Sequence, residues 1–357
     1  MNGSYTIDVI AGDGIGQEVV PAAIRCVNEV AKVEGFGVEW RHHDWGSERY
    51  LRDGQMMPSD GIEQLRDGDG ILLGAVGMPG IPDHVTLWGL LIPIRREFLQ
   101  YVNLRPVRIL PGVSSPLRDA TGLDVVVVRE NVEGEYSEVG GRAYRGRAEE
   151  MATQQAIFTR AGVERVARFA CEAARARSGA LVSATKSNGI IHTMPFWDEV
   201  VSEVAAGFDD VRLESVLVDA LAARAVLNPR SLDVIVASNL FGDILSDLLA
   251  GVAGSIGVAP SANLNPSGEF PSMFEPVHGS APDIAGRGIA NPVGQIWASA
   301  MMLEHIGQAR AAGRLVTAFE AVLAAGVRTP DLGGSAGTAE FTDAVVNQIR
   351  APRPTAT

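Results

Sequence analysis

Two aspartates four positions apart, Asp243 and Asp247, stand in the run Asn239-Leu240-Phe241-Gly242-Asp243-Ile244-Leu245-Ser246-Asp247. The run follows an apolar, strand-like stretch, 232–237, and opens a helical pattern through Ile244, Leu245, Leu248, Leu249 and Val252. On a helix, a spacing of four puts both carboxylates on one face, one turn apart. Like charges held this way repel unless something positive lies between them. A divalent cation with oxygen ligands meets that demand. The plainer alternative is a dipole partner near the helix N-terminus plus a solvated helix acid.

Positive groups gather elsewhere in the chain. Arg95, Arg96, Arg105 and Arg108 fall within the stretch 95–108, and guanidinium forks grip carboxylates at two points. Ordinary surface salt-bridging competes with that reading for any single arginine. Arg129 closes the apolar strand 124–128 and begins Arg129-Glu130-Asn131-Val132-Glu133-Gly134-Glu135-Tyr136, a charged segment of the kind that carries site residues in α/β proteins. Lys186 follows the strand 180–185 in the same way, and Asp219 ends the alternating stretch 211–218.

The elements that must position these groups alternate between strand and helix, which predicts an α/β architecture. Thr6 to Ala11 reads as a strand, Gly12-Asp13-Gly14-Ile15-Gly16 as a tight turn, and the following segment as an amphipathic helix. Such a turn can present backbone N–H groups to a phosphate, or its glycines can serve sterics alone. Ile71 to Val76 is a second strand, and Pro79 to Pro93 reads as a loop. Gly140 to Ala156 is polar, with the character of a protruding arm. Thr159 caps one helix and Pro195 opens another. Gly254 to Ser272 reads as a connection, and 273–292 as a long structured loop with neither strand nor helix. Three C-terminal segments, about 293–311, 314–325 and 339–349, read as helices. The tail from Ala351 to Thr357 has a disordered composition.

The totals narrow the function classes. The chain has 357 residues, long enough for two lobes, and a formal net charge of −13 with no basic block, which argues against nucleic acid. No apolar run reaches the length of a membrane span. Cys26 and Cys171 are the only cysteines, and the N-terminus lacks the regions of a secretory signal, so the cytoplasm is the expected location.

Four motifs in order carry a family signature. Gly12-Asp13-Gly14-Ile15-Gly16, Asn103-Leu104-Arg105-Pro106, the 239–247 run and Glu275-Pro276-Val277-His278-Gly279-Ser280-Ala281-Pro282-Asp283 resemble those of the β-decarboxylating dehydrogenases. That family includes the isopropylmalate, isocitrate, homoisocitrate and tartrate/D-malate enzymes. Within it, the chain most resembles the tartrate/D-malate branch, through Pro82-Asp83-His84-Val85-Thr86-Leu87-Trp88-Gly89, Asn131-Val132-Glu133-Gly134-Glu135-Tyr136-Ser137 and Thr185-Lys186-Ser187-Asn188.

The resemblance implies a two-lobed fold that is not a Rossmann fold, with the active site in the cleft between lobes. It assigns 1–101 plus 254–357 to an NAD-binding lobe, and 102–253 to a lobe for dimerisation, metal and substrate, with a clasp-like arm near 137–157. Mg²⁺ or Mn²⁺ would sit on Asp243, Asp247 and Asp219, the last from the other subunit of a homodimer, and K⁺ is a further candidate ion. Arg95, Arg105 and Arg129 would hold the substrate carboxylates, with Trp88 shaping the pocket. Lys186, also from the partner, would be the base and Tyr136 the acid. Ile15, Asn188, Glu275, His278, Gly279, Ala281, Asp283 and Asn291 would contact NAD, with Asp283 selecting NAD over NADP. The implied reaction is oxidation and β-decarboxylation of a short 2-hydroxy diacid. Alternatives are 3-isopropylmalate oxidation and a non-catalytic regulatory subunit.

Overall fold

In the computed structural model, residues 3–351 are described. The predicted disordered tail lies outside them, apart from Ala351. The chain divides into two compact units. One takes the chain up to Leu99, Ile109–Arg118, and everything from Ala250 on. The other takes Gln100–Arg108 and Asp119–Leu249.

Twelve strands occur among the described residues: β1 (Ser4–Gly12), β2 (Gly37–His43), β3 (Gly70–Ala75), β4 (Val102–Arg108), β5 (Asp124–Glu130), β6 (Gly140–Ala143), β7 (Met151–Gln154), β8 (Ala180–Thr185), β9 (Arg212–Leu217), β10 (Val234–Ala237), β11 (Pro260–Leu264) and β12 (Met273–Pro276).

In the first unit the strand order is β2-β1-β3-β12-β11, parallel except for the β12–β11 pair. The central β3 is buried at every position, the pattern of a strand covered on both faces. The helix Gly16–Glu34 turns Val19, Val20, Ala23, Cys26, Val27 and Val30 inward and stops at Gly35, whose left-handed backbone (φ 81°) lets its N–H reach the Ala31 carbonyl. Val27 and Val30 join Trp297, Phe319 and Phe341, from the helices Val293–His305, Ala309–Ala324 and Thr338–Arg350, in one apolar core.

Three expectations fail in this unit. The segment 79–93 is largely helical: Asp83–Thr86, a π-turn at Leu87–Leu91, then Ile92–Glu97. Its prolines mislead, because Pro82 precedes one helix and Pro93 lies in the first turn of another, where the missing N–H costs nothing. The connection 254–272 contains β11, and the loop 273–292 begins with β12. Both strands are too short for periodicity to declare them.

In the second unit the order is β4-β5-β10-β8-β9, parallel except for the β4–β5 pair. The helices Arg160–Arg175 and Thr193–Ala205 pack on it. Thr159 caps the first of these, accepting from the Gly162 N–H at 3.0 Å. Trp197 of the second is fully buried and donates to Ser183 at 3.0 Å. The arm is an antiparallel β6–β7 hairpin, exposed throughout both strands.

Candidate active site

Strand register brings the charged residues of the second unit together. β5 and β10 run parallel, with Arg129 opposite Ala237. The chain leaving β10 passes Ser238 and enters the helix Asn239–Ala253, so Asp243 and Asp247 emerge beside the end of β5. β4 pairs antiparallel with β5, setting Asn103 opposite Arg129 and placing Arg105 two residues on. Strand ends of this kind are where open α/β sheets bind ligands.

Arg105 and Arg129 are almost completely buried. The Arg129 guanidinium contacts Asp243 Oδ1 and donates to Asn239 Oδ1 from Nε at 3.0 Å and from a terminal nitrogen at 2.7 Å. Arg105 donates to Asp247 Oδ1 at 3.1 Å, to Ser246 Oγ at 2.7 Å and, from Nε, to Asn103 Oδ1 at 2.7 Å, and lies 3.3 Å from Asp243 Oδ1. The Tyr136 hydroxyl donates to Asp243 Oδ2 at 2.9 Å. Burial, then the Asp243 charge, raise the Tyr136 pKa above that of a free phenol, so it stays a neutral O–H donor. Five predicted residues, Arg105, Arg129, Tyr136, Asp243 and Asp247, thus form one cluster. Asn103, Asn239 and Ser246 orient the arginines. They stood inside the quoted motifs without a role; their signal was an amide or hydroxyl within a turn or two residues of an arginine or acid.

The donor set suits a divalent cation in part. Asp243 and Asp247 both reach solvent, and burial together with the Asp243 charge pushes the Asp247 carboxyl up against the opposing pull of Arg105. A cation would relieve that repulsion. Among the described residues, no three His, Cys, Asp or Glu side chains are grouped to hold a metal, so Asp219 does not complete the set within one chain. Asp219 lies in the first turn of the helix Val218–Leu227 and accepts from Lys186 Nζ at 2.6 Å. That hydrogen bond holds its carboxyl below the usual range. The β8–β9 register, Thr185 opposite Leu217, sets this pair side by side. Asn188 is exposed in the turn just after Lys186.

The remaining predicted residues lie in the first unit. Arg95 donates to Glu275 Oε1 at 2.7 Å, both buried, and Asn263 donates to the same oxygen at 2.7 Å. Trp88 lies in the π-turn with the Arg96 guanidinium 4.8 Å from its ring centre. Ile15 packs under the 281–290 loop with Val19 and Ala290. The glycine turn is set by close packing: a Cβ on Gly12 would lie 2.0 Å from the Ala75 carbonyl, and one on Gly14 2.0 Å from that of Ser280. The N–H groups of Asp13 and Ile15 are spent on the same two carbonyls. Asn291 turns inward, donating to Asp331 at 2.9 Å and accepting from Val293 N at 3.0 Å where the next helix begins.

An open pocket of about 420 Å³ lies between the 76–83 segment and Gly279, Ser280 and Pro282. The 76–83 wall was not anticipated. Ala281 holds a left-handed backbone (φ 40°), a strained conformation of the kind found at ligand clamps, and Asp283 is exposed beyond it. His278 is buried, with Nδ1 3.0 Å from the Gly279 carbonyl and no hydrogen-bond partner at Nε2. Burial lowers its pKa, leaving a neutral ring with an unused polar atom beside a loop pocket. These features fit a nicotinamide dinucleotide, which needs hydrogen-bond partners for base and ribose.

Residues 6–345 match the isocitrate/isopropylmalate dehydrogenase family. The chain is 51% identical over 348 residues to a probable tartrate dehydrogenase/decarboxylase of Bacillus subtilis, covering 97% of this chain and 98% of that one. It is 50% identical over 353 residues to a decarboxylating D-malate dehydrogenase of Escherichia coli, covering 96% and 98%. It is 49% identical over 357 residues to a tartrate dehydrogenase/decarboxylase of Pseudomonas putida, covering 97% and 98%. The crystal structure of isocitrate dehydrogenase from Methylococcus capsulatus superposes with a TM-score of 0.89 at 34% identity, over 97% of this chain and all of that one. The motifs that build the Asp243 cluster lie within a match running almost end to end, and the chain belongs to the isocitrate/isopropylmalate dehydrogenase family.

Proposed function

We propose that the protein oxidises and β-decarboxylates a short 2-hydroxy diacid, D-malate or a tartrate, using NAD and Mg²⁺ or Mn²⁺. The observation that carries this reading is the Tyr136–Asp243 hydrogen bond, inside a cluster that also holds Arg105, Arg129 and Asp247. It joins an acid to a carboxylate pair suited to a cation. The tartrate and D-malate names of the half-identical relatives support the substrate class.

When bound, the cation polarises the C2 oxygen and NAD accepts the C2 hydride. Asp243 and Asp247 would hold that cation, with Asp219 supplied by a second copy. Arg105 and Arg129 neutralise the substrate's carboxylate charge. Lys186 of the second copy takes the hydroxyl proton. After carbon dioxide leaves the 2-oxo acid, Tyr136 delivers its O–H proton to C3. The proton taken at oxygen and the one given to carbon cancel, so D-malate and NAD⁺ yield pyruvate, carbon dioxide and NADH. His278, Gly279, Ala281 and Asp283 bind the cofactor, the Asp283 carboxylate accepting from the adenosine hydroxyls and repelling a 2′-phosphate. Sites shared between subunits make the working form a homodimer, and two free, buried cysteines suit the reducing cytoplasm; among the described residues no helix is long and apolar enough to cross a membrane.

The test is product stoichiometry with D-malate, NAD and divalent cation. Equal amounts of NADH, carbon dioxide and pyruvate support the reading. NADH without carbon dioxide would restrict it to oxidation, and no NADH from D-malate or any tartrate would remove it.

A further inference from the structure

Tyr136 is held in place from the residue before it. The Glu135 carboxylate accepts from Ser238 Oγ at 2.7 Å and from Leu240 N at 3.0 Å. Ser238 is fully buried between β10 and the helix Asn239–Ala253, and Leu240 lies in that helix's first turn. One side chain therefore occupies otherwise unpaired donors at the start of the helix that carries Asp243 and Asp247, where a carboxylate is also favoured by the helix dipole. The attachment has a second point two residues earlier: the Glu133 carbonyl accepts from Asn239 Nδ2 at 3.1 Å. Gly134 lies between the two points at φ 95°, paired in both directions with Ile157.

We propose that Glu135 is a positioning residue for proton delivery: its grip on Ser238 and Leu240 fixes the Tyr136 hydroxyl relative to the Asp243 carboxylate. The inference rests on the acid role given to Tyr136 above. Glu135 itself touches no reacting atom. Its neighbour's hydroxyl must meet a carbon held by Arg129, Arg105 and the aspartates, and displacement of about 1 Å in such an arrangement costs up to about 100-fold. A two-point carboxylate clamp removes the hinge that a peptide ending in Tyr136 would otherwise have.

The experiment is a double-mutant cycle on oxaloacetate decarboxylation and D-malate oxidation. Glu135→Gln keeps the volume but replaces one acceptor with an N–H₂ group. Ser238→Ala removes one donor and serves as the milder perturbation if the first variant folds poorly. Both should lower kcat for decarboxylation, Glu135→Gln by about 10- to 100-fold, with KM for D-malate changed less than about twofold. In a Tyr136→Phe background neither should lower kcat further by more than about twofold, because a residue that acts through Tyr136 has nothing left to position. Losses that multiply in the double variants, or equal losses in kcat and in D-malate binding, would overturn the positioning role. Full decarboxylation by Tyr136→Phe alone would instead overturn the acid role, and this inference with it.

Discussion

Arg95 and Glu275 lie 180 positions apart and share a 2.7 Å hydrogen bond between two buried side chains. Asn263 donates to the same Glu275 oxygen. Removing one member of a buried pair leaves the other charge without compensation, at a cost of about 3–5 kcal/mol. Glu275→Ala should therefore lower unfolding stability by that order in a urea titration. An unchanged urea midpoint would mean that the pair is not held in solution.

The carboxylates Asp243 and Asp247 predict a metal effect that needs no turnover to observe. Asp247→Asn removes a negative ligand, and Mn²⁺ affinity measured by electron paramagnetic resonance should fall more than about tenfold. The same affinity in the variant and the wild type would place the cation elsewhere.

A pH effect follows from Glu130. Its Oε1 accepts from the N–H groups of Asn131, Val132 and Glu133 at 2.9, 2.8 and 3.0 Å. Burial nonetheless pushes the carboxyl up to about 7, against an ordinary 4.5. Within that window the folded chain keeps a proton that the unfolded chain has released. The stabilisation is fully present below about 4.5 and is lost as pH rises through about 7, an amount on the order of 3 kcal/mol. Urea midpoints of wild type should fall across the window relative to those of Glu130→Gln. Parallel pH profiles for the two proteins would contradict the assignment.

The Lys186–Asp219 pair predicts shared sites. If both residues serve a second copy, inactive Lys186→Met and Tyr136→Phe subunits should regain activity on mixing, since one hybrid site carries both intact groups. Verified heterodimers without recovery would favour sites built within one chain.

The sequence made the chemistry more legible than the scaffold around it. The spacing of Asp243 and Asp247 announced a helix face, and the helix is there. Arg105, Arg129 and Tyr136 were singled out through the motifs of the family resemblance, Arg129 also because a charged residue just after an apolar strand is conspicuous. What stayed hidden were relations across long separations. Nothing in the segment 129–136 says that Glu135 reaches Ser238, or that Glu130 folds back on its own following amides. β12 escaped notice because four residues offer too few alternating positions to be told from loop, and β2 because Val38 and Trp40 are its only apolar side chains among seven residues. The helices around Trp88 were masked by prolines placed where a helix tolerates them. The glycines of the first turn were open to a phosphate reading until the closeness of Ala75 and Ser280 showed what they are for.

A short diacid as substrate is tested by kcat/KM for D-malate, L-tartrate, meso-tartrate and 3-isopropylmalate under one set of NAD and metal conditions. Trp88 is half-buried in the π-turn with the Arg96 guanidinium 4.8 Å from its ring centre, and Leu91 is buried in a cluster with Leu90 and Ile94; an indole at the substrate would fill space that a branched substituent needs. Contacts worth one or two methylenes change specificity by only about 1–3 kcal/mol, so some turnover of 3-isopropylmalate is expected. D-malate or a tartrate should give the highest value. A clear preference for 3-isopropylmalate would contradict it and leave only the family assignment standing.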